Sequence, residues 1–436
     1  MLSKFGEPNI SHVVCVCKAN YDAVLLSPLD TVSFSQIPVI PLMNYSICLT
    51  LCGLLLAPAV VAAPFVPRTD NEVLEHLPFR PTDPVAREIS GLRRQLAAQP
   101  QDMATALQLA RSYFAQAGAQ SDPRYVGYAQ AALKPWWNLP NPPAPVLVMR
   151  ATLRQYGHDF VGALADLDAA LLINPADVEA LSLRADINLV TGDYAASRKD
   201  CARMSPYVTT LTDAGCVTFI EGMTGRARQS HDVLLNLLNS AKNVSPEQRL
   251  WLLTRLAEMA WRLNDVALAE AHFKRALALN VVDGFLLAAY ADFLLDYGRP
   301  REVLVLLKDW SRADPMLLRL TLAAHMTGDK VFAEHQTALA ARYAAARMRG
   351  DTTHEQEESR FTLVVLKQPE EALRLAQSNW QVQREPRDAR ALLEAALAAN
   401  KPAAAKPVLD WMEMTAIEDW YLRKIAAQLA SLGGAK

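Results

Sequence analysis

Four groups of side chains in this 436-residue chain have the types and spacing to do chemistry. The first is His354 with Glu355, Glu357 and Glu358, imidazole and carboxylates that could hold a divalent cation. No second ligand group follows at helical spacing, so the stretch reads as a solvated polar segment. The second is the cysteines at 15, 17, 48, 52, 201 and 216, of which only Cys201 and Cys216 lie beyond the N-terminal export segment described below. Two cysteines alone in an exported protein invite a disulfide, closing a loop of about 15 residues worth up to about 3 kcal/mol. The alternative is two buried thiols that fill space. The third is Asp159, Asp193 and Asp265, which recur at one place in a repeated pattern. Recurrence argues for helix capping and against catalysis. The fourth is Tyr125, Tyr128, Trp136 and Trp137 beside a proline-rich run, a cluster that could bind a partner or plug the end of a helical stack. The sequence contains no His-Glu-x-x-His, Gly-x-Ser-x-Gly, phosphate loop or Gly-rich dinucleotide turn. We therefore expect no catalytic residue, no metal site and no cofactor.

The elements that must carry these groups are helices. Hydrophobic residues make up 51% of the chain but aromatics only 7%, and Ala and Leu dominate. Ala and Leu favour helix, while the residues that strands favour are sparse. The length is long for one globular core and suits several domains or a repeat array. Without Lys4, Lys18, Glu7, Asp22 and Asp30, the chain keeps 42 basic and 43 acidic residues. This near-neutral body has no basic stripe and no nucleic-acid motif, so no nucleic-acid partner is expected.

No charged residue occurs between Thr31 and Pro67. Within that span residues 43–62 have an apolar centre followed by small residues, the layout of a secretory signal. Val60 and Ala62 suit the positions before a cleavage site at Ala63. No Lys or Arg follows Met43, and an uncleaved signal anchor is the rival reading. A lipoprotein signal fits less well because bulky Leu51 precedes Cys52. Residues 1–42 lack the bias of the body and read as an unstructured, misassigned upstream extension, with Met43 the true start. The expected location is periplasmic or secreted, with membrane contact only if the signal is uncleaved. Residues 63–99 read as a proline-rich leader.

Beyond residue 144 the chain repeats. The turn Tyr156, Gly157, His158, Asp159, Phe160 is followed by Ala163, Leu164, Leu167, Ala170, Leu171 and Pro175. Later turns end at Tyr194, Ala227, Val266, Pro300, Lys330, Pro369 and Pro402, with spacings from Phe160 of 34, 33, 39, 34, 30, 39 and 33. Between turns the apolar residues keep helical period, as in Leu253, Leu256, Ala257 and Ala260. This pattern resembles the tetratricopeptide repeat, a 34-residue helix–turn–helix, and the chain is similar to exported bacterial-type members of that family. The resemblance covers roughly residues 100–432 and weakens after Met316. It implies an all-α, right-handed α-solenoid of helical hairpins. Residues 100–145 would be a degenerate first hairpin with a proline-rich loop, 146–415 about eight hairpins and 416–436 a solvent-facing capping helix. The register also puts Cys201 and Cys216 on adjacent packed helices.

The resemblance further implies a concave groove lined by the first helix of each hairpin, with fixed positions facing a partner. In this sequence those positions are Asp186, Trp251, Glu258, Trp261, Arg262, Phe285, Asp292 and Asp296. Aromatics would anchor a protein partner and the acids would select a basic one. The competing reading makes Trp251 and Phe285 core packing. The Lys and Asn clamp of chaperone-binding repeats is absent, since Ser182, Asp186, Thr254, Glu258, Ala288 and Asp292 stand there. The function expected is an exported scaffold for protein–protein interaction, assembling a cell-envelope complex. The alternatives are a membrane-anchored accessory subunit and a ligand- or glycan-binding enzyme subunit.

Overall fold

A computed structural model describes residues 83–433, together with Thr69. The expectations for residues 1–42, for the export segment 43–62 and for the leader up to residue 82 fall outside the described residues. Residues from Glu88 onward belong to one compact unit. All regular structure among the described residues is helical: twenty-one α-helices and two short 3-10 turns.

Helix α1 (Pro84–Ala98) occupies the end of the expected leader. Helices α2 (Met103–Gln120) and α3 (Arg124–Ala132) form a hairpin, and α4 (Lys134–Trp137) is one helical turn within the proline-rich run. Pro135 sits in that first turn, where a missing N–H costs nothing. The prolines from 140 onward then keep residues 138–143 out of regular helix.

Eight more hairpins follow. They are α5 (Ala144–Tyr156) with α6 (Phe160–Ile173), α7 (Val178–Thr191) with α8 (Tyr194–Met204), and α9 (Thr210–Met223) with α10 (Ala227–Ser240). Next come α11 (Pro246–Arg262) with α12 (Val266–Leu277), α13 (Gly284–Asp296) with α14 (Pro300–Leu306), and α15 (Asp314–Thr327) with α16 (Phe332–Met348). The last are α17 (Glu355–Val364) with α18 (Pro369–Val382), and α19 (Pro386–Ala398) with α20 (Lys406–Thr415); α21 (Trp420–Gly433) closes the array. The chain is an all-α solenoid of helical hairpins. No helix among the described residues is long and apolar enough to cross a membrane.

Each of these eight hairpins turns on one residue with a left-handed backbone. These are His158, Gly192, Gly225, Asn264, Gly298, Gly328, Lys367 and Asn400, all with φ between 53° and 88°. Gly192, at φ 88°, does so without a Cβ penalty. In the first turn the left-handed residue is His158 and not its neighbour Gly157. The aspartates that recur at turns cap the second helices. Asp159 accepts from the Gly162 N–H at 2.9 Å, Asp193 from Ala196 at 2.9 Å and Asp265 from Leu268 at 3.2 Å.

One feature is copied between hairpins with the repeat. Arg150 on α5 donates two hydrogen bonds to Asp166 on α6, at 2.8 and 2.6 Å. Arg184 and Asp200 do the same at 2.8 and 2.6 Å on α7 and α8. Each bidentate pair fastens the two helices of one hairpin where both side chains are largely buried. Cys201 on α8 is joined to Cys216 on α9 by a disulfide, which staples two consecutive hairpins.

The array has two apolar cores. One runs from α9 and α10 through α17 and includes Leu238, Leu253, Phe273, Phe293 and Phe361. The other joins α5–α9 to α18–α21, with Leu181, Ile187, Trp380, Leu392 and Trp411 in one cluster. The C-terminal hairpins therefore pack back on the early ones. The Trp411 indole N–H donates to the Tyr194 hydroxyl at 2.8 Å, and the Arg384 N–H donates to the Val190 carbonyl at 2.7 Å. Helix α21 corrects the expected solvent-facing cap: Leu422, Ile425 and Leu429 are buried in this core.

The segment carrying His354 is a second correction. It is the first turn of α17, not a solvated stretch, and His354, Glu357 and Glu358 are buried. Arginines make this burial tolerable: Arg347 bonds Glu358, and Arg319 lies 4.0 Å from Glu357. The four residues do not form a metal-holding group.

Candidate functional site

The first helices of the central and C-terminal hairpins face one another across an interior cavity of about 140 Å³. Helices α11 and α13 supply Arg255, Glu258, Trp261, Arg262, Phe285, Asp292 and Asp296. The opposite wall is Arg319 of α15, Arg360 of α17, Arg387, Arg390 and Glu394 of α19, and Asp419 and Tyr421 at the start of α21. Ser245 and Asp283 fix where the first two helices begin, accepting from the N–H groups of Gln248 at 3.1 Å and Leu286 at 2.7 Å.

Six of the eight expected groove residues meet here: Glu258, Trp261, Arg262, Phe285, Asp292 and Asp296. Asp186 and Trp251 do not line the cavity. The Trp251 ring lies over Gly215 of α9, so close that a Cβ there would come within 2.7 Å of it. Trp251 is packing between hairpins. The Asp186 Oδ2 is shut away without a hydrogen bond. Burial raises its pKa to about 7, against a partial pull downward from Arg255.

The walls carry six arginines and six carboxylates, an even balance. Asp292 accepts from Arg319 at 2.6 Å and also bonds Arg360. Asp296 accepts two bonds from Arg390, at 2.6 and 2.8 Å. Arg390 bonds Glu394 at 2.8 Å and sits 4.0 Å above the Tyr421 ring, and the Tyr421 hydroxyl donates to Glu394 at 2.8 Å. Arg255 bonds Glu258 at 2.7 Å and lies 4.2 Å over Phe219 and 4.8 Å over Phe285. Arg387 covers the other approach to Phe285 at 5.0 Å and bonds Glu385.

Two pKa shifts follow from this pairing. The Asp292 carboxyl is desolvated, which opposes ionisation, yet Arg319 and Arg360 hold it below the usual carboxylate range. For Asp296 the balance tips the other way: desolvation outweighs Arg390 and its pKa is raised. The groove acids thus face this chain's own arginines. That corrects the expectation that Asp292 and Asp296 stand open to select a basic partner.

Arg319, Arg360, Arg387, Arg390, Glu394 and Tyr421 were not found by sequence reasoning, which stopped where the turns drift. A signal did exist. The count that places Phe285 second and Asp296 thirteenth before the turn at Pro300, repeated before Pro402, places Arg387 second, Arg390 fifth and Glu394 ninth. The fourth sequence group is separate from this site. The Tyr113 ring lies tilted against those of Tyr125 and Tyr128, with centroids 6.1 and 5.5 Å away, and Trp136 is buried.

The geometry defines a helical-hairpin solenoid with a charge-paired, aromatic-lined interior. No protein-family model and no curated protein matches the chain. Among solved structures, the tetratricopeptide-repeat domain of P58(IPK) aligns over 80% of this chain and 98% of its own, at 14% identity and a TM-score of 0.27. At that score the overlay carries no argument, and the architecture rests on the hairpins described above.

Proposed function

We propose that the chain is an exported scaffold that binds a protein partner in the cell envelope, and not an enzyme. The supporting observation is on α6. Val161, Leu172 and Ile173 stand 84%, 84% and 63% exposed on this one helix. Ala165 is exposed between them, and Asp168 beside it bonds Arg184. Val161, Ala165 and Leu172 recur on one outer face, with Ile173 next to Leu172 at the helix end, and apolar side chains so grouped suit a docking surface better than scattered ones do. The interior offers no equal surface to an extended peptide, because α17, α19 and α21 already occupy the side opposite α11 and α13. Export is supported by the Cys201–Cys216 disulfide, since such bonds persist in oxidising compartments.

The test is capture from envelope extract with the exported chain as bait. A stoichiometric partner retained by wild type and by Met348→Asp, another exposed apolar site, but lost by Val161→Asp/Leu172→Asp is the expected result. A partner that binds all three equally would move the interface off α6.

A further inference from the structure

We propose that the interior cavity is a binding site for a small organic carboxylate with a compact apolar body, anchored by Arg262. This inference goes beyond the scaffold reading and does not rest on the α6 surface.

Of the six arginines in the walls, five have a carboxylate within ion-pair distance: Arg255, Arg319, Arg360, Arg387 and Arg390. Arg262 has none. It is only 9% exposed, its Nη1 points at the Met223 sulfur at 2.9 Å, and its Nε has no hydrogen-bond partner. Its Nη2 lies against Gly222, where a Cβ would be 3.5 Å away. A thioether is a weak acceptor for a guanidinium. A buried cation with no carboxylate in bonding contact is poorly compensated, and the surrounding fold must carry that cost unless an anion arrives. Desolvation accordingly lowers the Arg262 pKa, while Asp419 and Glu258 oppose that shift from beyond bonding distance. Neither acid is free to move in: Glu258 is held by Arg255, and Asp419 caps α21 through the Tyr421 and Leu422 N–H groups, both at 3.0 Å.

The same surroundings select the ligand. The Nη2 group is the guanidinium nitrogen that is neither sealed nor already donating, and a carboxylate oxygen is the acceptor it suits best. The nearby Glu258 and Asp419 disfavour a dianion such as phosphate. Trp261, Phe285 and Tyr421 offer aromatic surface for the rest of the molecule. The volume suits a body about the size of a benzene ring, since a cavity of ~150 Å³ accepts benzene. An extended peptide does not fit there.

Benzoate titrated into the full exported chain by calorimetry is the probe, with neutral benzamide as its isostere and Arg262→Gln as the variant. We expect benzoate to bind wild type, benzamide to bind at least about tenfold more weakly, and Arg262→Gln to lose benzoate by a similar factor. Equal binding of benzoate and benzamide would overturn the proposal, as would no heat from wild type at millimolar benzoate. So would undiminished benzoate binding in Arg262→Gln. The benzoate–benzamide comparison uses wild type alone, so it decides the matter even if the variant does not fold. Undiminished partner capture in the α6 variants, with benzoate binding intact, would count against the α6 docking surface and not against this site.

Discussion

Arg390 reaches back 94 residues along the chain to Asp296 and donates two near-parallel hydrogen bonds to its carboxylate, at 2.6 and 2.8 Å. This pair ties the first helix of the last hairpin to the first helix of a central one. It walls the concave face with the chain's own helices and makes the groove acid a structural partner. The Arg387 and Arg390 guanidiniums over Phe285 and Tyr421 belong to the same wall.

Asp186 is enclosed with a pKa raised to about 7 from 3.8. A raised carboxyl pKa means that the folded state holds a proton which the unfolded chain has released. Stability contributed here is therefore lost as pH rises from about 4 to about 7. Asp186→Asn removes the penalty. We predict a gain on the order of 2 kcal/mol at pH 8 and little at pH 4, read from urea midpoints. A gain of equal size at both pH values would show that ionisation is not the cause.

His231 and His272 are buried on α10 and α12 with their Nε2 atoms 3.1 Å apart. Only one proton fits between them, so the pair is stable when neutral. Desolvation lowers the His272 pKa to about 4; His231 and Arg275 add to this, and Asp265 opposes it. His231 Nδ1 faces Asp232 at 3.1 Å. The unfolded chain takes up a proton near pH 6.5, before the folded one does, so stability is complete above that value and falls towards pH 4. We expect a loss of about 1–2 kcal/mol over this window. His272→Leu should flatten the profile, and parallel curves for variant and wild type would rule the pair out.

The fold was legible because its signals are local. A left-handed turn residue, an aspartate after it and a helical apolar period each sit within a few residues, so they survive as a spacing in the sequence. The arginine–aspartate clasp inside the hairpins was also written there, as Arg150 and Arg184 beside Asp166 and Asp200, each pair shifted by one repeat. The site was half legible. The repeat register brought Glu258, Trp261, Arg262, Phe285, Asp292 and Asp296 together. It could not show that α17, α19 and α21 come round to face them, because closure depends on how small rotations between hairpins accumulate. That accumulation turned an open acidic groove into a paired interior. It also buried the acids around His354, whose polarity alone reads as solvent-facing.

The staple between α8 and α9 closes a loop with a sequence separation of 15. Reduction, or Cys201→Ala/Cys216→Ala, should cost up to about 3 kcal/mol by restoring entropy to the unfolded chain. Equal unfolding midpoints with and without reductant would contradict this.

Gly215 sits beside that staple and beneath the Trp251 ring. Gly215→Ala adds a Cβ where the ring already lies, and we predict a loss of about 1–3 kcal/mol with a shifted tryptophan emission. An unchanged emission and midpoint would mean that the ring is not seated on α9.

Closure of the interior by the chain's own arginines is tested most directly by a double-mutant cycle on Arg390→Ala and Asp296→Ala. Urea unfolding would be measured for wild type, both single variants and the double. The structure predicts that Arg390→Ala costs about 3 kcal/mol or more, by leaving the buried Asp296 charge uncompensated, and that Asp296→Ala costs less, because Arg390 keeps its bond to Glu394. The double should cost clearly less than their sum, with a coupling above about 1 kcal/mol. Additive effects, with coupling near zero, would mean that α19 and α13 do not meet in solution and that the groove is open.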